Sequence, residues 1–283
     1  MLASTRELLE KARRGRYAVG AFNVYTLEQV QAVLQAAEAL ESPVILQVLP
    51  RALKMSGTAL IKACLEAGRC SSVKVSVHLD HCSCEGTMDR ALAAGVSSIM
   101  ADGSHLDYES NIAFTGRVVH LAGRFNACVE AELGRLTGAE DGVAVAHSET
   151  RLTDPDQAAD FAARTHTHAL AVCVGNVHGK YYQAPELDFE RLAAIGRRLD
   201  IPVVLHGTSG LPGRMIRRCI ELGVCKFNVN TELRAAYLQA ARGCLAHAPD
   251  IELADLIHAL TAAVQLPVLA KMELFGSSGK SRP

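Results

Sequence analysis

The amino-acid sequence predicts a single closed (β/α)8 barrel, the TIM-barrel architecture of the α/β class, with an extra C-terminal helix. Eight short apolar segments rich in Val and Ile alternate with amphipathic segments along the 283 residues. Such continuously apolar strands are typical of a parallel sheet buried on both faces. The open doubly wound alternative is disfavoured because no GxGxxG turn follows the first strand and no GxxxxGK(S/T) motif occurs. No linker-like segment divides the chain, so residues 1–283 are predicted to form one barrel domain.

The predicted elements follow one another in a regular order. The strands are expected over Ala18–Phe22, Val44–Val48, Val73–Leu79, Ser97–Ala101, Ala127–Glu132, Ala169–Val174, Val203–Leu205 and Lys226–Val229. The helices between them are expected over Leu27–Leu40, Ala59–Ala67, Thr87–Ala94, Ile112–Ala122, Gln157–Arg164, Phe189–Leu199 and Met215–Leu222. The extra helix is predicted over about Leu253–Leu274, kinked or broken at Pro267 because proline removes a backbone donor. The long stretch Gly134–Arg151 shows neither pattern, which predicts an irregular segment that is either a functional lid or a disordered excursion.

Composition excludes several classes of function. Lys and Arg together number 29 against 30 Asp and Glu, and aromatic residues make up only 5% with no Trp. Binding to nucleic acid or to an anionic membrane surface is therefore not predicted. No run of 18 uninterrupted apolar residues occurs and the charged first 17 residues do not resemble a signal peptide, so no membrane segment is expected. The nine scattered cysteines contain no CxxC pair, which favours reduced thiols and a cytoplasmic protein.

Polar residues interrupt the apolar strands at their carboxyl ends. These ends converge on one rim of a parallel barrel, the rim that carries catalytic groups. A single histidine at such a place is usually a hydrogen-bonded structural residue, and His78 is interpreted in that way. Three histidines on separate strands, His81, His178 and His206, instead predict a catalytic zinc site, because three imidazoles leave a fourth position open. The acidic and amide residues at the same strand ends are Asp80, Asp102, Glu130, Glu132, Asn228 and Asn230.

Two segments at the same rim predict a phosphate site. Leu205–Gly210 is a turn of small residues after the seventh strand, and Phe227–Thr231 leads from the eighth strand into a helix. Either segment alone is explained as an ordinary turn. Their position after strands seven and eight favours phosphate, because barrels often bind phosphate there through backbone N–H groups and a helix N-terminus.

Taken together, these motifs resemble the class II, zinc-dependent ketose-bisphosphate aldolases, from Ser4 to about Gly279. The resemblance is strongest to the shorter branch of tagatose-bisphosphate and many bacterial fructose-bisphosphate aldolases. The motifs that carry it are Tyr17-Ala18-Val19-Gly20-Ala21-Phe22-Asn23, Leu79-Asp80-His81, Asp102-Gly103-Ser104-His105, Val129-Glu130-Ala131-Glu132-Leu133-Gly134, Gly175-Asn176-Val177-His178-Gly179, Leu205-His206-Gly207-Thr208-Ser209-Gly210 and Asn228-Val229-Asn230-Thr231-Glu232.

The resemblance implies a role for each matching position. Asp80 corresponds to the acid/base at the hydroxyl of the cleaved bond, and Glu140 to a mobile-loop acid that exchanges the proton at the nucleophilic carbon. Asp102 and Glu132 correspond to an alternative, buried metal position. The residues that correspond to zinc ligands are His81, His178 and His206, and those that correspond to substrate contacts are Asn23, Gly179, Gly207, Thr208, Ser209, Asn228, Val229, Asn230 and Thr231.

The implied reaction is reversible cleavage of tagatose or fructose 1,6-bisphosphate into dihydroxyacetone phosphate and glyceraldehyde 3-phosphate. Zn²⁺ at the carbonyl would stabilise the charge left by breaking the C3–C4 bond, so no Schiff base is needed. The resemblance further implies a homodimer or homotetramer, a companion subunit in tagatose-type members, and a monovalent cation (Na⁺ or K⁺) near the phosphate.

Three departures from the family pattern bear on the substrate. Leu49-Pro50-Arg51 stands where a small or polar residue is usual, Cys82 follows His81 in place of glycine, and Thr208 replaces a glycine or alanine. Cys82 is expected to reshape the turn and expose the site to oxidation. Related substrates therefore stay open, including a sugar-acid phosphate of the inositol-catabolic type.

Two other functions of such a barrel are disfavoured by the sequence. A Schiff-base aldolase needs a lysine at the catalytic rim, whereas Lys74 and Lys226 are predicted at the opposite, amino end of their strands and Lys180 lies beyond His178. A non-catalytic barrel subunit of an aldolase assembly is disfavoured because the ligand set is complete.

Overall fold

The computed structural model confirms the predicted barrel. It describes residues 1–140, 143–146, 150–179, 181 and 183–281, with the backbone alone at 139–140 and 143–145. The barrel strands are β1 (Val19–Asn23), β2 (Val44–Val48), β3 (Val75–Cys82), β4 (Ser98–Ala101), β5 (Cys128–Leu133), β8 (Ala169–Val172), β10 (Val203–Leu205) and β11 (Val224–Val229). They are parallel and close in the order β1-β11-β10-β8-β5-β4-β3-β2. Each lies within three residues of its predicted bounds.

Helices cover the outside of the barrel. Those predicted from amphipathic segments are all present within four residues of the expected ends. The helices are α1 (Thr5–Gly15), α2 (Leu27–Ala39), α3 (Pro50–Ser56), α4 (Ala59–Cys70), α5 (Glu85–Ala94), α6 (Tyr108–Gly123), α7 (Pro155–Thr165), α8 (Phe189–Arg198), α9 (Gly213–Glu221), α10 (Thr231–His247) and α11 (Leu253–Leu274).

The extra C-terminal helix is α11, and it is not broken at Pro267. The helix runs through the proline to Leu274. Val264 and Val268 on either side of Pro267 are fully buried in the core, and this packing holds the helix together where one backbone hydrogen bond is lost. Among the described residues, α11 is long and apolar enough by length and composition to cross a membrane. Its buried side chains recur every four residues and it packs on α2, α10 and β1, as a helix covering a barrel does.

The amino end of the barrel is closed by α1. Leu8, Leu9 and Ala12 of this helix are buried, and Thr5 Oγ1 lies 2.5 Å from Ser76 Oγ on β3. The α1 side chains form one apolar cluster with residues of five strands: Val19, Ala21, Ile45, Ala169, Ala171, Val204 and Cys225. This end of the barrel is therefore a packed core, and only the carboxyl end is open to ligands.

The stretch Gly134–Arg151, predicted to be irregular, contains regular structure, so that prediction is wrong. It holds β6 (Thr137–Glu140) and β7 (Val143–Val145), which pair as an antiparallel hairpin. β6 also pairs in parallel with β9 (Val177–His178), a short strand in the segment after β8. The strands are too short to show an apolar periodicity, which is why the sequence pattern missed them.

Candidate active site

The carboxyl end of β3 presents two consecutive side chains to the barrel mouth. In a regular strand Asp80 and His81 would point to opposite faces. The register between β3 and β4 shifts between Leu79 and Cys82, and His81 has a positive φ of 41°. This irregularity turns His81 toward the site while Asp80 keeps its inward direction. Left-handed backbone at a residue other than glycine is uncommon and is concentrated at functional sites.

The three predicted zinc ligands converge as expected. His81 is the penultimate residue of β3, His178 ends β9 and His206 follows β10. Their ring centroids lie 5.0 Å (His81–His178), 4.7 Å (His81–His206) and 6.2 Å (His178–His206) apart. One nitrogen of each ring can be chosen so that all three atoms lie within 4.8 Å of one another. Such spacing suits three ligands around one metal ion.

The position of His178 depends on the small sheet that the sequence did not predict. Gly138 of β6 pairs with His178, and a Cβ at Gly138 would lie 2.0 Å from the carbonyl oxygen of His178. On the other side, a Cβ at Gly207 would lie 2.1 Å from the carbonyl oxygen of Val177. Two glycines therefore permit the close approach that brings His178 into the site.

Carboxylates surround the histidines. Asp102 Oδ2 lies 2.8 Å from His81 Nδ1, and Glu130 Oε1 lies 2.9 Å from His206 Nε2. Glu132 Oε2 lies 3.3 Å from His206 Nδ1 and 4.0 Å from His81 Nδ1. His81, Asp102 and Glu132 form a second group able to hold a metal ion, as the resemblance implied for an alternative position. Carboxylates that hold metal-ligating imidazoles fix the orientation and tautomer of the rings.

The donor set fits a divalent cation. Glu132 Oε2 and His206 Nδ1 are buried and make no hydrogen bond, a costly arrangement unless a ligand takes their lone pairs. Around them lie four carboxylates, those of Asp80, Asp102, Glu130 and Glu132, and one buried ammonium. Because buried charges are costly unless they are paired, this surplus of negative charge would be stabilised by a cation bound among these groups.

The pKa values of the histidines respond to this charge. Burial by itself lowers the pKa of His81, but the carboxylates of Asp80 and Asp102 outweigh burial and hold that pKa well above its usual value. Burial likewise opposes the rise at His206, where the hydrogen bond with Glu130 and the close contact with Glu132 raise the pKa. At His178, burial and the nearby charge of His81 lower the pKa to about 4. Without a metal ion, protons on His81 and His206 balance the carboxylates.

Asp80 is held as a carboxylate by side-chain amides. Asn228 Nδ2 donates to Oδ1 at 3.0 Å, while Asn23 Nδ2 and Gln47 Nε2 donate to Oδ2 at 2.9 and 3.2 Å. Burial raises the pKa of Asp80, but the charges of His81 and Lys226 outweigh burial, and the net pKa is lowered. The sequence did not single out Gln47, although a Gln within the otherwise apolar strand Val44–Val48 is a detectable signal.

The predicted phosphate loops lie next to each other after β10 and β11. Thr208 Oγ1 donates to the carbonyl oxygen of Asn228 at 2.8 Å, so the threonine that departs from the family pattern joins the two loops. Ser209 and Asn230 are largely buried beside them, and α10 begins at Thr231. Val229 packs its side chain into the core around the barrel, so only its backbone remains available to a ligand.

A cavity of about 400 Å³ opens at the histidines, and His81 and His178 line it. Its other lining residues lie in or after β2, β3, β4, β5 and β6, whereas the phosphate loops follow β10 and β11. Arg51 and Arg135 line it together with Leu49, Pro50 and Leu136. The sequence analysis named Arg51 as part of a departure from the family pattern. It did not name Arg135, which lies in the stretch expected to be irregular.

The predictions for Gly179, Glu140 and Cys82 remain to be compared with the structure. Gly179 directly follows His178 with a positive φ of 83°, so its backbone turns at the site. The side chain of Glu140 lies outside the described part of the chain, as does Lys180. Cys82 is buried, and burial raises the pKa of its thiol to about 11, which contradicts the expectation that it exposes the site to oxidation.

The predicted position of Lys226, at the amino end of its strand, is wrong. The strand begins at Val224 rather than at Lys226, so the lysine lies inside the barrel and not at its amino end. Its side chain is fully buried, and Nζ lies 2.9 Å from Glu130 Oε2.

Several known proteins are similar to this chain in sequence and in fold. The profile of the family described as fructose-bisphosphate aldolase class-II matches residues 3–280. The D-tagatose-1,6-bisphosphate aldolase subunit GatY of Klebsiella oxytoca is 42% identical over 250 residues, which cover 88% of each chain. A Coccidioides immitis structure assigned as a fructose-1,6-bisphosphate aldolase has a TM-score of 0.92 and 34% identity over 98% of this chain and 97% of that one. The YdjI aldolase of Escherichia coli K12 has a TM-score of 0.86 and 33% identity over the full length of both chains.

The family match spans nearly the whole chain, and the barrel brings to one rim the three histidines, the Asp80 carboxylate and the two loops on which the resemblance rests. Aldolase activity makes the protein a lyase of sugar metabolism. The chain belongs to the class II fructose-bisphosphate aldolase family.

Proposed function

We propose that this aldolase reversibly cleaves tagatose or fructose 1,6-bisphosphate between C3 and C4 at a zinc site formed by His81, His178 and His206. The observation that supports it most directly is the convergence of three imidazoles beside the buried carboxylate of Asp80. Zinc bound there would act as a Lewis acid toward the ketone and would stabilise the negative charge that cleavage leaves next to it. Asp102 and Glu132 would offer the alternative metal position.

The protein side chains supply the proton transfers. Asp80 is ionised and held by three amide donors, so it is positioned to accept the proton of the C4 hydroxyl as the C3–C4 bond breaks. In the condensation direction it returns that proton to the new hydroxyl. The second proton transfer, at C3 of the dihydroxyacetone phosphate half, is assigned to Glu140 by the resemblance and stays a prediction.

The dihydroxyacetone half and the aldehyde half of the substrate are proposed to bind to different parts of the rim. The phosphate of the dihydroxyacetone half is proposed to bind the loops after β10 and β11, contacted by Gly179, Gly207, Thr208, Ser209 and the Asn228–Thr231 segment at the start of α10. Helix N-termini and turns with free N–H groups suit anions. Asn23, which bonds Asp80, would contact the carbon chain near the reacting centre.

The aldehyde half is proposed to occupy the cavity that His81 and His178 line, away from the loops after β10 and β11. Arg51 and Arg135 line it, and guanidinium groups suit a second phosphate or a carboxylate at that end of the sugar. This charge is compatible with a ketose bisphosphate and also with a sugar-acid phosphate of the inositol-catabolic type.

Zinc dependence and sugar preference are tested in one experiment. Cleavage of fructose and tagatose 1,6-bisphosphates is measured before treatment with EDTA, after it, and after zinc is restored. We expect activity to be lost and regained, with the ratio of the two rates identifying the preferred sugar. Replacing His81, His178 or His206 singly with Ala should reduce both zinc content and cleavage, and retention of both in every variant would contradict the proposed site. Borohydride trapping in the presence of substrate would reveal a Schiff base.

The quaternary state is also proposed rather than established. α10 has only one buried residue, Leu233, while Leu238 and Leu245 are largely exposed, which suits a helix that packs on another subunit. A homodimer or homotetramer is proposed, and light scattering would measure it. The GatY relative is named as a subunit, so activity should also be assayed with a companion subunit before a low rate is taken as the intrinsic one. A monovalent cation near the phosphate and a cytoplasmic location stay predictions.

A further inference from the structure

The buried lysine inside the barrel touches both halves of the catalytic machinery. Lys226 Nζ lies 2.9 Å from Glu130 Oε2, 3.2 Å from Glu130 Oε1 and 2.6 Å from Asn228 Oδ1. An ammonium group has three N–H donors and no acceptor; here it donates to Glu130 Oε1 and Asn228 Oδ1 and forms an ion pair with Glu130 Oε2. A lysine this deeply buried is rare without a function or a counter-charge, and Lys226 is not among the residues that line the cavity.

One contact leads to the histidine His206. The ion pair with Lys226 keeps Glu130 ionised, and Glu130 Oε1 then accepts the N–H of His206 Nε2 at 2.9 Å. With the proton on Nε2, the lone pair of Nδ1 is left for a metal ion; this atom makes no hydrogen bond with the described residues and lies 3.3 Å from Glu132 Oε2. Carboxylates that accept the second N–H of a metal-binding histidine fix its tautomer and its ring orientation.

The other contact leads to Asp80. Because the ammonium group only donates, the Asn228 amide must turn its oxygen toward Lys226. Its Nδ2 group therefore points the other way and donates to Asp80 Oδ1 at 3.0 Å. The orientation of this amide is decided by the chemistry of its neighbours, and it fixes one oxygen of the acid/base carboxylate.

We propose that Lys226 is a positioning residue that orients both a zinc ligand, through Glu130 and His206, and the acid/base, through Asn228 and Asp80. This inference rests on the proposed function, since it concerns the same zinc site and the same proton transfer. It assigns Lys226 no contact with the substrate and no Schiff base.

The test compares Lys226→Met, the double variant Lys226→Met/Glu130→Gln, and the control Lys74→Met with the wild type. Lys74 is the matched control because it pairs with Glu7 at a partly exposed site away from the rim. Three quantities are measured: zinc affinity by competition with a chromophoric chelator, kcat and KM for cleavage, and thermal unfolding. The double variant removes both buried charges, so it keeps the test usable if the single variant fails to fold.

For Lys226→Met we expect zinc affinity to fall about 10- to 100-fold, as for other partners of metal-binding histidines. We also expect kcat to fall at least about tenfold with zinc saturating, while KM changes little. In the double variant the glutamine oxygen can still accept from His206, so zinc affinity should recover toward the wild type. Its kcat should stay low, because Asn228 has lost the group that sets its orientation.

The inference is overturned if a folded Lys226→Met protein, or the double variant where the single one does not fold, matches the wild type and Lys74→Met in kcat. It is also overturned if KM alone changes, since that indicates a substrate contact. Failure of the wild type itself to bind zinc or to cleave any ketose bisphosphate would count against the proposed function, so the two failures are distinguishable.

Discussion

The two ends of the barrel interior are built from the same strands and differ in chemistry. At the amino end, Ala21, Ile45 and Val204 pack with α1 in an apolar cluster. Two residues further along the chain lie Asn23 on β1, Gln47 on β2 and, directly after β10, His206, all buried and all polar. A step of two residues keeps a side chain on the inner face of a strand, so the change from apolar to polar occurs along the barrel axis and not between its faces.

This difference separates stability from activity within one interior. The amino end contributes apolar burial, which favours folding whatever ligand is present. The carboxyl end buries charges that are costly unless they are paired with one another or with a metal ion. The amino end should therefore govern unfolding, and the carboxyl end should govern turnover and metal affinity.

The largest expected effect is on turnover at the polar end. Asp80→Asn keeps the shape of the side chain but removes the base, so kcat for cleavage should fall by about 10²- to 10⁴-fold. Zinc content should be unchanged, because Asp80 is not among the predicted ligands. The measurement is steady-state cleavage together with metal analysis of the same sample. A variant that keeps near wild-type kcat would show that another group takes the C4 hydroxyl proton.

The next effect is on stability at the apolar end. Leu9→Ala on α1 removes a buried side chain from the amino-end cluster and should lower the free energy of unfolding by about 2–5 kcal/mol. Activity per folded molecule should stay at the wild-type level. Leu27→Ala is the control, since Leu27 is exposed and its loss should change stability by no more than about 0.5 kcal/mol. A large drop in kcat for Leu9→Ala at low temperature would contradict the separation of the two ends.

A third effect, on stability as a function of pH, concerns His78, which lies between the two ends. It is fully buried with Nδ1 2.7 Å from Ser98 Oγ, and burial, followed by the charge of Lys226, lowers its pKa from 6.5 to about 4. The unfolded chain takes up a proton below pH 6.5 while the folded one does not. The stabilising contribution is therefore complete above pH 6.5 and is lost as the pH falls toward 4.

Urea unfolding of the metal-free protein at pH 7 and pH 5 measures this effect. The wild type should lose about 2 kcal/mol more between the two pH values than His78→Gln does. The comparison with the variant removes the contribution of titrating groups whose pKa values do not depend on His78, such as His178. Equal losses in the two proteins would mean that His78 is charged in the folded state or titrates alike in both states.

The sequence predicted the barrel and the convergence of its ligands well, for a physical reason. Strands buried on both faces are continuously apolar, and the closure of a parallel barrel brings distant residues such as His81 and His206 to one rim. The features that the sequence did not predict arise where the backbone departs from regular helix or strand geometry. The reversed φ of His81 and the pairing of β6 with β9 leave no periodic trace. Lys226 was misplaced because two apolar residues before it, Val224 and Cys225, belong to the same strand.

The smallest expected effect is the change in activity on labelling the exposed cysteine with iodoacetamide. The labelling pattern tests whether the polar rim is as closed to solvent as the amino end of the barrel. Each end contains a buried thiol, Cys225 among the apolar cluster and Cys82 beside the site, and burial raises their pKa values to about 12 and about 11. Cys84, two residues from Cys82, is exposed, and hydrogen bonds with Thr87 lower its pKa. Since the thiolate is the reactive form, iodoacetamide at pH 8 should modify Cys84 first and spare both buried thiols.

Cleavage should stay within about twofold of the untreated rate, because the modified sulfur lies outside the barrel and its loss of charge changes no group at the site. Mass spectrometry of peptides from the native, treated protein identifies the labelled cysteines, and Cys84→Ser controls for effects of labelling at that position. Labelling of Cys82 together with a loss of activity would show that the turn after His81 opens in solution. Because Cys225 lies under α1, its protection in the same sample would then confine that opening to the catalytic end.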